Sequence, residues 1–167
     1  MTLVIGFGNP LRGDDAAGPS VARSADLARP DVVVLTLQQL LPELAPEVAT
    51  ADVVVFIDAT TDLPAGEVRC QAVDPSATPR LDHILSPAAL VGLGLATFGH
   101  APYAWLVEIG ADSFDLGNTL TPAVADAVPR AVALVRTLIP PAGLKVGSYV
   151  VHAVAAHVEV HTPESPS

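Results

Sequence analysis

A chain of 167 residues, half of them hydrophobic, falls in the single-domain range and can bury one core. Its formal net charge of −10, uninterrupted by any Lys/Arg cluster, would repel a phosphate backbone, so nucleic acid and anionic membrane are poor partners. Cys70 is the only cysteine, which excludes an internal disulfide and a Cys-based zinc cage and points to a reducing, cytoplasmic compartment.

Apolar runs of strand length alternate with helix-like stretches, the rhythm of parallel βαβ units. Leu3 to Phe7 reads as a first buried strand rather than a signal peptide, because no basic region precedes it. The turn from Gly8 to Asp14 follows, and Asp14 or Asp15 offers an N-cap for a helix over about Ala16 to Ala28, with Pro19 in its first turn. Val32 to Leu37 is a β-branched run suited to a second buried strand. Leu41 to Ala49 gives a short helix interrupted by Pro42 and Pro46, and Val53 to Ile57 a third strand. Glu67 to Val73 alternates apolar and polar residues, as an edge strand does. Ser86-Pro87 pairs an N-cap with a first-position proline and starts a helix to about Leu95. Tyr103 to Ile109 is another strand, and Thr121-Pro122 repeats the cap for an amphipathic helix ending near Leu138. From Pro140 the pattern weakens. Residues 140–167 therefore read as a C-terminal extension to a domain over 1–139, apolar and β-prone from Tyr149 to Val160 and disordered from His161 to Ser167. No apolar stretch approaches the roughly 20 residues of a membrane helix. The expected fold is a twisted, mostly parallel α/β sheet with helices on both faces.

In such a sheet, ligands bind beyond the carboxyl ends of the strands where strand order reverses. Asp58 closes the third strand and Asp14-Asp15 follows the loop leaving the first. Asp58 equally suits an Asx-turn, and an acid at a helix N-terminus is stabilised by the dipole without any function. One of the two neighbouring acids serves as a cap in this reading, leaving the other free. His83 lies in a loop expected at the same rim, whereas His100, His152, His157 and His161 read as surface imidazoles. Gly6-Phe7-Gly8 is a weak dinucleotide fingerprint, since Leu11 stands where the third glycine belongs and Pro10 removes an amide. A P-loop, a Gly-x-Ser-x-Gly elbow and an Asp-Thr/Ser-Gly pair are all missing, and Cys70 has no evident base.

The run Gly6-Phe7-Gly8-Asn9-Pro10-Leu11-Arg12-Gly13-Asp14-Asp15-Ala16-Ala17-Gly18 resembles the opening signature of the hydrogenase maturation proteases. Gln39 to Ala45, Phe56 to Ala59, His83 with Ser86-Pro87, and Leu120 to Val124 are similar to later segments of that family, so the resemblance spans roughly residues 3 to 138. Leu41 departs from the family's usual Thr. The resemblance implies a nickel-recognition site of Asp15, Asp58 and His83, and an endopeptidase that trims the C-terminal extension of a nickel-loaded [NiFe] hydrogenase large-subunit precursor. Nickel would be recognised mainly in the substrate, because two carboxylates and one imidazole leave coordination positions open for a partner's ligands. Asn9 would orient its loop or donate to the developing oxyanion. A nickel-sensing chaperone that binds the precursor without cutting it is the alternative, and a nucleotide-binding module a distant third.

Overall fold

The computed structural model describes residues 1–76, 85–144 and 146. Five strands form one sheet: β1 (Thr2–Phe7), β2 (Val32–Leu37), β3 (Val53–Thr60), β4 (Val68–Ala72) and β5 (Tyr103–Gly110). Their order is β2-β1-β3-β5-β4, parallel except for β4, which runs antiparallel to β5 at the edge. The helices are α1 (Ala17–Ala22), α2 (Ala45–Thr50), α3 (Pro87–Phe98) and α4 (Pro122–Leu138).

The period-two alternation of the strands builds a core on each face. Val53, Val55 and Ile57 of β3 pack with Trp105 and Val107 of β5 against α1 and α4. Val54 and Phe56 face the other way, toward Val48 of α2 and Leu90 and Val91 of α3. Strands buried on both sides read as unbroken apolar runs, which is why β1, β3 and β5 stand out in the sequence.

Several elements differ from expectation. β2 is a half-buried edge strand, with Val33 42% exposed, rather than an interior one. Its apolar run matches an interior strand in composition, and only the sheet order places it outside. The helix expected over Ala16 to Ala28 is broken into a 3₁₀ turn at Gly13–Ala16, the short α1 and a second 3₁₀ turn at Ala25–Leu27. The segment after β2 likewise divides into a 3₁₀ turn at Pro42–Leu44 and α2. β3 continues to Thr60, so Asp58 lies within the strand instead of closing it.

Ser86 caps α3 as its sequence requires, its hydroxyl accepting from the Ala89 amide at 3.2 Å, and Gly99 ends the helix at φ 73°. α4 runs through Pro129. The ring removes the bond that Ala125 would accept, and both residues lie on the exposed side, where water can satisfy that carbonyl. The expectations for Tyr149 to Ser167 lie outside the described residues.

Candidate functional site

The chain moves from β1 outward to β2 and then returns across β1 to β3, so strand order reverses between β1 and β3. β1 pairs with β3 only as far as Gly6↔Ile57, whereas β3 and β5 stay paired to Thr60↔Gly110. Asp58 is thus the first residue of β3 without a β1 partner, and the notch beside it is the crevice expected at a switch point.

The loop leaving β1 folds back beside that notch. Gly8 has φ 140°, and a Cβ there would sit 2.0 Å from the Asp15 carbonyl oxygen, so the return of the loop requires glycine. Asn9 then fixes the loop internally: its Oδ1 accepts from the Leu11 amide at 2.9 Å, and its own amide donates to Asp15 Oδ2 at 2.7 Å. These bonds give Asn9 the loop-orienting role anticipated for it.

Neighbouring acids in this loop have opposite fates. Asp14 is fully buried. Its carboxylate accepts from the amides of Asp112 at 2.9 Å, Ser113 at 3.0 Å and Thr121 at 2.7 Å, and from the Thr121 hydroxyl at 2.8 Å. Burial opposes its charge, but the Ser113, Thr121 and Asp112 amides and the Thr121 hydroxyl together hold the carboxyl below its ordinary value. Asp14 caps the β5–α4 loop instead of the following helix, and Thr121, expected to cap α4 with its side chain, spends its hydroxyl on Asp14. Asp15 is left half-buried at the rim with the Asn9 amide.

Asp58 accepts from the Ala59 amide at 2.9 Å within β3, a bond to the next residue rather than the Asx-turn expected as its alternative. Burial nonetheless pushes its pKa from 3.8 to about 7, and the charges of Asp15 and Glu108 add to the rise. Its sensitivity to Asp15 ties two of the three residues expected at the site to one electrostatic neighbourhood. His83 lies outside the described residues. Among the described residues, no group of three or more His, Cys, Asp or Glu side chains is placed to hold a metal ion. His100 stands at the opposite end of the sheet, its Nε2 3.3 Å from the carbonyl oxygen of Ala51, which precedes β3. Burial raises the Cys70 thiol to about 11, which removes it as a nucleophile near neutral pH.

Sequence reasoning missed Glu108. It is paired in register with Asp58 across β3 and β5, and is only 9% exposed. Arg69 of β4 holds its Oε2 through Nε at 2.9 Å and Nη2 at 2.7 Å, and the Gln71 amide adds a third bond at 3.2 Å. The signal was available: a lone acid inside the apolar strand Tyr103 to Ile109, and two polar residues spaced by two on the adjoining edge strand.

No family model and no curated protein matches this chain. Solved structures do. The [NiFe] hydrogenase maturation protease HycI from Thermococcus kodakarensis KOD1 superposes with a TM-score of 0.65 at 24% identity, over 80% of this chain and 88% of that one. The hydrogenase maturating endopeptidase HybD from E. coli gives 0.61 at 24% identity over the same shares. HybD from Thermococcus kodakarensis gives 0.59 at 24% identity, over 83% of this chain and 99% of that one. The chain therefore has the α/β fold of the hydrogenase maturation proteases.

Proposed function

We propose that this protein is a hydrogenase maturation endopeptidase, removing the C-terminal extension of a nickel-loaded [NiFe] hydrogenase large-subunit precursor in the cytoplasm. The observation that supports the reading is the shared electrostatic neighbourhood of Asp15 and Asp58 beside the β1/β3 switch point, where a loop whose glycines and Asn9 match the family signature returns. The shared fold and the named neighbours support it. The third ligand, His83, follows from the resemblance alone.

Two carboxylates offer hard oxygen ligands for a divalent ion but complete no coordination sphere, so the ion arrives with the substrate, whose own groups hold most of it. Asp58, with a pKa near 7, exchanges its proton easily close to neutrality. An approaching cation displaces that proton and draws the carboxylate into ligation. The scissile peptide carbonyl beside the site is then polarised by the ion, and water adds to its carbon. The C–N bond breaks, one proton of the water passes to the departing amine and the other leaves the new carboxyl group. Specificity follows from the requirement that the substrate already carry its metal.

Purified precursor is the decisive reagent. Nickel-loaded precursor should be shortened by the wild-type protein and left intact by Asp15→Ala, Asp58→Ala and His83→Ala, while apo precursor stays uncut. Efficient cutting of apo precursor in a chelator would overturn the nickel dependence, and normal processing by His83→Ala would remove that ligand. Binding of loaded precursor with no size shift would instead establish the chaperone alternative.

A further inference from the structure

The loops after β1 and β5 are joined into one shelf at the C-terminal rim. The Gly13 amide donates to the Gly117 carbonyl at 3.0 Å, the Gly117 amide to the Leu11 carbonyl at 3.0 Å and the Asp14 amide to the Ser113 carbonyl at 3.0 Å. The buried Asp14 carboxylate clamps Asp112, Ser113 and Thr121 from beneath. Such a web fixes the shelf before any partner arrives, so little ordering entropy remains to be lost on binding.

What the shelf displays is apolar. Leu116 is 85% exposed and Leu11 62%, and Phe114 is also exposed. A rigid loop that holds large apolar side chains in water, where folding gains nothing from them, marks a contact surface. The backbone bonds bring Leu11 alongside Leu116-Gly117, and Asp15 lies within the same stitched loop, its amide donating to the Arg12 carbonyl. The surroundings are acidic: Asp112 and Asp115 are exposed on the shelf, Asp62 is exposed just past β3, and Arg12 is the only cation within residues 8–16 and 111–121.

We propose that this shelf docks an apolar segment flanked by basic side chains in the C-terminal region of the hydrogenase precursor, seating it so that the scissile bond reaches Asp15 and Asp58. This rests on the endopeptidase reading. Leu11, Phe114 and Leu116 supply the anchoring contacts, and Asp112 and Asp115 select against acidic flanks and speed encounter with basic ones. The same acids disfavour an anionic bilayer as the occupant.

The test uses the full chain and two readouts. In fluorescence anisotropy, a labelled peptide with a Val/Leu core between Lys/Arg flanks should bind, and the same core between Glu flanks should bind at least about ten-fold more weakly. Leu116→Glu and Leu11→Glu should each weaken the basic peptide about ten-fold, with unchanged thermal midpoints because both side chains stand in solvent. In processing, both variants should raise KM for nickel-loaded precursor and leave kcat near wild type. Equal binding of both peptides, wild-type affinity in both variants, or tighter association with anionic vesicles than with peptide would overturn the docking surface. If wild-type protein binds the basic peptide through the shelf but never cuts precursor, the endopeptidase reading fails and the docking surface stands. If it cuts precursor and the variants cut with unchanged KM, the reverse holds.

Discussion

Asp14 and Asp15 are adjacent, yet one is a structural anion and the other a candidate ligand, because only Asp14 points into a ring of donors from a loop about a hundred residues away. Asp14→Ala should leave three amides and a hydroxyl without their acceptor, at a cost of about 2–4 kcal/mol in urea unfolding. Asp15→Ala should change stability by about 1 kcal/mol or less while abolishing processing. Asp58 carries a pH signature. Its carboxyl titrates near 7 in the folded protein and near 3.8 when unfolded, so between those values the native state holds a proton the unfolded chain has released. Stability contributed by this group therefore falls as pH rises through that window. Asp58→Asn should be more stable than wild type at about pH 8, by no more than about 4 kcal/mol, and the gain should vanish at about pH 3. Thermal midpoints across the pH range measure this, and a difference independent of pH would refute the raised pKa.

Pairing of strands and helices sets these side chains in place. α1 lies so close to the sheet that a Cβ on Gly18 would come 2.3 Å from the Ile57 carbonyl oxygen and 2.7 Å from that of Phe7. Gly18→Ala should push α1 outward and destabilise the fold by about 1–3 kcal/mol, and because Asp15 enters from the same segment, processing should fall with it. Chemical denaturation beside a cleavage assay would show both effects, and unaltered stability would contradict so close an approach of α1 to the sheet. On the other side of the site, Glu108 faces Asp58 across paired strands and repels its charge. Glu108→Gln should lower the Asp58 pKa by less than about one pH unit, since burial remains the larger cause. If ionised Asp58 is the form that ligates, processing should rise with pH through its pKa, and Glu108→Gln should move that midpoint to lower pH. A midpoint displaced toward higher pH would contradict the repulsion.

The molecule as a whole is one sheet between two cores, and the single Trp reports on their shared framework. Trp105 of β5 is 2% exposed and packs with α4-side residues such as Val132 and Val135. Its fluorescence should be blue-shifted in the native protein, and its loss on heating should coincide with the loss of helical circular dichroism, as for a two-state unit. Separated transitions would show that the α1/α4 and α2/α3 layers melt independently. No helix among the described residues is long and apolar enough to cross a membrane.

The interior strands and the Ser86 cap were legible in the chain because their causes are local. Burial on both faces writes β1, β3 and β5 as continuous apolar runs, and Ser86-Pro87 starts α3 within four residues of itself. The signature from Gly6 to Gly18 was equally legible as a resemblance, and its glycines at 8 and 18 prove to be places where a Cβ would strike backbone. What the chain could not show were pairings between distant segments. Apolar composition left β2 looking like an interior strand, and the choice between Asp14 and Asp15 depended on amides at 112, 113 and 121. Glu108 joined the site only once β5 lay in register with β3 and β4. A side chain's period fixes which face it takes; its charged neighbours are set by strand order and register, which no local stretch of sequence contains.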